Sequence, residues 1–277
     1  MFKLFCFNLF FMLFSCSNSQ NRTVNFDNSF REHNDSVKFL SFIDSMNTSD
    51  LLSMRRQYYT DSALTIEPNN AYLWQQKAMP LFKLRKYEIG LTYLDSAVAK
   101  NVEYLDYRAF MKCIFMKSYK DALMDFDLAT ELNGNSYIMD HPYTFYQGLC
   151  YLQLNQFDKA KHFFNQNLKN DSVHFLDYFY LGVIYYEIED YSESIKFLDK
   201  CLDNYSQFPD ALFYKSLCIE KLEGVKAMIP ILEQAKIYAK KGYSLNEDNA
   251  IYEPYPYQVS LYRIEYTYRY YYSELDD

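Results

Sequence analysis

The sequence predicts an all-α chain, built as an α-solenoid of antiparallel helix pairs and closed by a C-terminal capping tail. Three observations carry that expectation. Aromatic-rich stretches recur at a fixed interval: Tyr143-Thr-Phe-Tyr-Gln-Gly148-Leu-Cys-Tyr151 is echoed by Asp177-Tyr-Phe-Tyr-Leu-Gly182-Val-Ile-Tyr185, with Gly148 and Gly182 34 residues apart. Small residues stand at regular offsets inside each recurrence. Six Gly and seven Pro in 277 residues leave little room for β-turns, while 30 Tyr and 23 Phe supply ample apolar mass to bury.

A period of this size is the signature of stacked helix–turn–helix units, none of which buries its apolar face alone. Each unit needs a small residue where its two helices approach closely. Gly148, Gly182, Ala78 and Ser216 supply it on the first helix, and Gly90, Ala160 and Ser194 on the second. Large residues between them (Tyr151, Phe157, Phe164; Tyr185, Tyr191, Leu198) fill the seam. A third small residue, seven beyond the second, faces the next unit: Ala63, Ala97, Ala129, Cys201 and Ala235.

These positions resemble the tetratricopeptide repeat family, whose pattern runs early aromatic, Gly/Ala, Tyr, Ala, Phe/Tyr, Ala and Pro. The resemblance covers about residues 50–245, with Trp74 at the aromatic start of one unit and Pro68 at a closing proline. The step from Ala97 to Ala129 is 32 residues, and Ala129 to Asn167 is 38, so one unit is shortened and followed by an insertion around Asn133–Tyr143. Pro80 and Pro230 fall inside predicted helices. Each removes a backbone hydrogen bond, at a cost of roughly 3 kcal/mol.

The expected organisation is a signal peptide over 1–15, a flexible tether over 16–36, repeats over 37–245 and a Tyr/Pro-rich cap over 246–277. Met1-Phe-Lys3 is a short positive start, and Leu4–Phe14 is an apolar run broken only by Asn8. That run is too short for the roughly 30 Å hydrocarbon layer and reads as a secretory signal. Leu13-Phe14-Ser15-Cys16 resembles the lipobox of bacterial lipoproteins, which implies acylation of Cys16 and attachment to the bacterial cell envelope by lipid alone. An ordinary signal peptide with an incidental cysteine is the other reading. Ser17–Ser36 is rich in Asn, Ser and charge, as a tether would be. From Val37 the spacing Val37, Leu40, Ile43, Met46 turns helical.

Net charge is −8, and no basic run exceeds Met54-Arg55-Arg56 or Lys240-Lys241, which argues against nucleic acid. The four His are scattered, no Cys-x-x-Cys pair occurs, and no phosphate loop, nucleophile elbow or His-Glu-x-x-His is present. No metal, cofactor or catalytic residue is expected. Among Cys113, Cys150, Cys201 and Cys218, a solenoid would bring Cys201 near Cys218, as a disulfide or as small buried thiols.

Binding is the expectation that remains. In the resembled family the concave surface is lined by the first helix of each unit. Carrying its groove positions over gives Tyr72, Met79 and Phe82, then Phe145, Leu149 and Leu152, then Leu176, Phe179, Val183 and Tyr186, then Phe213 and Leu217. That strip implies a protein or peptide partner. A carbohydrate is the alternative, since rings also stack on sugars. Members that clamp a terminal carboxylate place Lys and Asn where this chain has Gln75, Phe145, Phe179 and Phe213, so that role is disfavoured.

After the repeats, Asn246–Gln258 carries two prolines and three tyrosines, suited to extended backbone. It is expected to fold back over apolar surface near Phe213. Tyr262 to Tyr270 then alternate with Arg263, Glu265, Thr267 and Arg269, a strand-like period in a place where a capping helix is needed. Asp-Ser followed by a small or aliphatic residue recurs at Ser36, Ser45, Ser62, Ser96 and Ser172. It looks like the O-glycosylation signal of exported proteins in one bacterial phylum.

Overall fold

The computed structural model describes residues 34–169 and 174–273. The apolar start, Cys16, most of the tether and Ser172 lie outside the described residues. The chain divides into two compact units, Met1–Lys77 and Ala78–Asp277.

In the first unit, α1 (34–47) already begins within the stretch expected to be tether. It is followed by α2 (Met54–Ile66), capped by Ser53, whose hydroxyl accepts from the Arg56 N–H. Met46, Ala63, Leu64 and Leu73 form a small core flanked by Phe39, Phe42, Ile43, Tyr59 and Trp74. Buried Arg56 donates to the Met46 carbonyl at 2.8 Å and to Gln76 at 2.5 Å. Trp74 donates to the Pro68 carbonyl at 2.8 Å, which gives the closing proline and the aromatic start a shared role.

The boundary falls within α3 (Ala71–Lys83). The second unit continues with α4 (Tyr87–Lys100), α5 (Leu105–Ile114), α6 (Tyr119–Asn133), α7 (Tyr143–Gln153), α8 (Phe157–Asn167), α9 (Phe175–Glu187), α10 (Tyr191–Asn204), α11 (Pro209–Glu223), α12 (Val225–Lys240) and α13 (Leu261–Ser273). Odd-numbered α5 to α11 are the first helices of successive antiparallel pairs, and α13 packs on α12.

The small residues mark close approach. A Cβ on Gly148 would meet the Phe164 ring at 2.9 Å, one on Gly182 the Leu198 side chain at 2.7 Å, and one on Gly90 the Phe82 ring at 2.7 Å. Ala63, Ala97, Ala129, Cys201 and Ala235 are all buried. Each first helix from α3 to α9 ends in a left-handed residue that is not glycine: Arg85, Lys117, Asn155 and Glu189; Gly224 takes the place after α11. Their intervals repeat the 32, 38 and 34 steps seen in the sequence.

Pro80 and Pro230 sit inside α3 and α12, and both helices continue past them. The insertion after α6 is a β-hairpin, in which β1 (Tyr137–Ile138) pairs antiparallel with β2 (His141–Pro142) across Met139-Asp140. The alternating tyrosines after Val259 form a helix, not a strand, because α13 has α12 to pack on and no sheet to join. Lys240 pairs with Glu265 at 2.9 Å, and the Lys236 ammonium lies 3.3 Å from the centre of the Tyr268 ring.

All four cysteines from Cys113 onward are free and buried. The sulfurs in contact are those of Cys113 and Cys150, at 3.5 Å, whereas Cys218 meets the Ser194 hydroxyl.

Two of the Asp-Ser pairs, at Asp61 and Asp95, belong to a wider set of aspartates with a structural role. Asp61 pairs with Lys77 at 2.5 Å and Asp95 with Arg108 at 2.8 Å. Asp127 accepts from Gln147 at 2.8 Å, and Asp199 pairs with Lys215 at 2.5 Å. Each clamps a second helix to the next first helix, two positions before the buried small residue. The Ser62 and Ser96 hydroxyls donate to carbonyls one turn back.

Candidate functional site

The expected groove residues do not line an open surface. Phe82, Phe145, Leu149, Phe179 and Phe213 are fully buried, as are Leu152, Leu176 and Val183. Met79, Tyr186 and Leu217 are half-buried, and Tyr72, in the first unit, is exposed. The physical reason is rotational. Phe145 turns into the seam, where its ring centre lies 5.9 Å from that of Phe164 and 3.9 Å from that of His141. Phe179 packs at 5.1 Å on Phe208, and Arg263 of α13 covers Phe213 at 5.1 Å.

One position further on, about 100° around the helix, the outer row appears: Tyr146, Tyr180 and Tyr214, again 34 residues apart. These tyrosines are buried too: Tyr180 and Tyr214 meet the chain's own segment between α12 and α13, while the Tyr146 hydroxyl donates to the Ile138 carbonyl of the hairpin. The segment runs out along the first helices and returns. On the outward leg Leu245 is buried, and the Glu247 carboxylate meets His141 Nε2 of the hairpin at 2.9 Å, with both side chains almost wholly buried. A short 3-10 turn, Asp248–Ile251, reverses it.

On the return leg three alternate carbonyls accept from three repeats: Tyr252 from Arg85 at 3.4 Å, Pro254 from Lys117 at 2.5 Å, and Pro256 from Tyr180 at 3.2 Å. The intervening side chains also meet the repeats or the outward leg. Glu253 accepts from the Tyr87 hydroxyl and pairs with Arg85 at 3.3 Å. Tyr255 is buried beside Glu247, and Tyr257 packs 6.1 Å from Tyr214. The Val259 N–H then donates to Asp210 at 2.6 Å. The Lys83 ammonium lies 4.1 Å from the centre of the Tyr252 ring.

The proline choice follows from this geometry. Pro254 and Pro256 have no N–H to strand, and their fixed φ favours an extended run. Burial dominates the electrostatics. It pushes the Tyr180, Tyr146 and Tyr255 hydroxyls far up, and it lowers Lys117 against the pull of Glu253. Tyr87 is raised to about 12 by burial and then by Glu253. Asp210 is raised to about 7 by burial, and His174, 4.8 Å from His141, is lowered to about 4 by the same cause.

Sequence reasoning placed the tail back on the repeats near Phe213; the structure extends that contact along the first helices to Tyr87. The ladder Tyr146, Tyr180, Tyr214 was missed by one helical position, although its 34-residue spacing was the available signal. Among the described residues no group of three or more His, Cys, Asp or Glu is placed to hold a metal, and no helix is long and apolar enough to cross a membrane.

A tetratricopeptide repeat family model matches residues 144–171 and 178–207. No curated protein matches the sequence. Among solved structures, PilW, described as a widely conserved type IV pilus biogenesis factor, is similar with a TM-score of 0.60 at 16% identity, over 76% of this chain and 95% of that one. A tetratricopeptide repeat protein from Parabacteroides merdae gives a TM-score of 0.61 at 13% identity, over 86% and 98%. A chain of the APC/C hetero-tetramer Cut9–Hcn1 gives 0.54 at 14% identity, over 65% and 36%. With the paired helices and the recurring close approaches in hand, residues 144–171 and 178–207 are tetratricopeptide repeats, and the chain as a whole has a tetratricopeptide-like α-solenoid fold.

Proposed function

We propose that this protein is a non-catalytic scaffold of the bacterial cell envelope, tethered by a lipid on Cys16, which holds an extended protein or peptide segment along the first helices of its repeats. The observation that carries the reading is the return leg itself: the face grips extended backbone through carbonyls at alternate residues, using donors from three repeats. Carbonyl capture is independent of side-chain identity, and flanking pockets supply selectivity, which is the logic of extended-peptide recognition. A chain of similar fold stands in the Cut9–Hcn1 hetero-tetramer, in keeping with a protein-binding role. Photo-crosslinking from the half-buried positions Tyr186 and Leu217 in whole cells tests the reading. Crosslinks to a recurrent partner segment are expected there; crosslinks confined to outer helices such as α8 would sink it. Fractionation of wild type and Cys16→Ser tests the anchor: the variant should leave the membrane fraction, and equal membrane retention would refute lipid attachment.

A second reading is a carbohydrate site, and one observation favours it. A cleft of about 680 Å³ between α6 and α8 combines Asp127, Thr130, Gln147, Gln166 and Lys169 with the Phe163 ring. Amides and a carboxylate beside a ring are the usual means of holding a sugar. Saturation-transfer NMR with envelope glycan fragments, wild type against Phe163→Ala, decides it; no transfer to any fragment removes the reading.

A further inference from the structure

We propose that residues 249–258 are a resident competitor on the partner site, and that the outside segment which exchanges with them is extended, acidic and studded with proline-separated tyrosines, in the manner of Glu253-Pro-Tyr-Pro-Tyr257. The inference rests on the scaffold reading above and names its partner chemistry and regulation.

Four features distinguish this segment from ordinary core. It has no regular secondary structure after Ile251, and its backbone is held by side chains of the repeats. Its two ends are fixed independently of it. Glu247 is held by His141 before it, and α13 is held to α12 after it by the Lys240–Glu265 pair and the Lys236–Tyr268 contact. The segment is therefore free to leave while its stem and α13 stay in place.

The resident is also an imperfect ligand. Tyr257 holds a left-handed backbone, φ 60°, which an aromatic residue adopts only under constraint. Lys117 gives its partly buried ammonium to a neutral carbonyl of Pro254, where an incoming carboxylate would make a stronger, charge-assisted bond. At the other end of the leg the demand for acid is already visible, since Glu253 is held by both Tyr87 and Arg85. A tethered segment acts as a competitor at millimolar effective concentration. A partner must therefore match the same contacts and gain at these two points.

The test uses the full mature chain and a fluorescein-labelled peptide of residues 249–260, Asn-Ala-Ile-Tyr-Glu-Pro-Tyr-Pro-Tyr-Gln-Val-Ser. Anisotropy titrations compare wild type with a variant whose residues 252–258 are replaced by Gly and Ser. The replaced variant should bind at least ten times more tightly than wild type, on the millimolar-competitor arithmetic. A peptide with Tyr255→Ser and Glu253→Gln should lose that binding, and one with Pro254→Glu should gain. Equal affinity for wild type and variant, or no binding to a variant with unchanged helical circular dichroism, overturns the proposal.

Should the replaced variant not fold, Tyr252→Ala with Glu253→Ala takes its place, because both side chains are only half-buried. In wild type, excess peptide should then accelerate hydrogen exchange at the amides of Tyr255 and Tyr257; no acceleration overturns the idea. Concentration-dependent dimers that swap the segment between copies would assign the site to self-assembly and likewise overturn the assignment to an outside partner. Exchange without any crosslinked partner in cells would sink the scaffold reading while leaving exchange intact. Crosslinked partners without exchange would do the reverse.

Discussion

The Tyr180 hydroxyl lies 3.2 Å from the Pro256 carbonyl, joining a first helix to a residue 76 positions later. Both groups are buried, and the contact belongs to a ladder of tyrosines that holds the C-terminal segment in place. Tyr180→Phe keeps the ring and removes the donor. It should lower stability by about 0.5–1.5 kcal/mol and raise hydrogen exchange in residues 252–258. Urea denaturation with local exchange measurement checks it; a full loss of stability without local loosening would place the hydroxyl's role elsewhere.

Gly182 is held against Leu198, and the Ser194 hydroxyl donates to its carbonyl at 2.7 Å. Gly182→Ala gains helix propensity of about 1 kcal/mol, yet its Cβ would stand 2.7 Å from Leu198 Cγ, a fully buried atom that cannot retreat. Overpacking of this kind costs roughly 1–3 kcal/mol, so the net outcome should be destabilising. A rise in Tm would show that the helix pair relaxes apart without penalty.

Glu189 holds φ 62° at the turn between α9 and α10. The left-handed region costs a side chain roughly 1–2 kcal/mol, and glycine adopts it freely. Glu189→Gly should therefore stabilise the chain by about 1 kcal/mol after the added flexibility of the unfolded state. The same change at Lys117 should not, because Lys117 also holds the Pro254 carbonyl. Equal gains at both positions would mean that the Lys117 contact contributes nothing.

Asp210 carries a pH dependence of definite sign. Burial raises its carboxyl to about 7, opposed by the Val259 N–H. Unfolded, it titrates near the ordinary aspartate value of about 4. Between these values the folded chain keeps a proton that the unfolded chain has released. The stability associated with neutral Asp210 is thus complete at about pH 4 and is lost as pH rises through the folded value. Asp177, raised to about 6 by burial, acts in the same direction. Asp210→Asn should match wild type near pH 4 and exceed it at pH 8, by a few kcal/mol in order of magnitude. Denaturation curves at both pH values check this; a gap that does not change with pH would refute it.

The repeat architecture was legible because close approach of two helices can be met only by small residues, and these leave a spacing in the sequence. Gly148, Gly182 and Gly90 each face a large side chain on the paired helix, and the irregular steps of 32 and 38 residues reappear as the shortened pair and the β-hairpin at Tyr137–Pro142. Asp61 and Asp95 of the Asp-Ser pattern belong to this local level too, as each clamps one repeat to the next. The candidate site was legible only in outline. Spacing placed aromatic residues on the first helices but could not say whether Phe179 or Tyr180 faces the segment, because one residue turns a helix by about 100°.

By itself, then, the order of amino acids determined that paired helices stack, where they touch, and that the Pro/Tyr stretch after Asn246 leaves the repeat pattern; the stretch expected to be extended throughout in fact turns at Asp248–Ile251 and at Tyr257. Only the tertiary structure decided that this stretch lies along the tyrosines of three repeats, that Glu247 finds His141 and that Glu253 finds Tyr87. Contacts within a repeat recur and so imprint a period. Contacts between a unique tail and positions as distant in sequence as Lys83 occur once, and a single occurrence leaves no pattern to read.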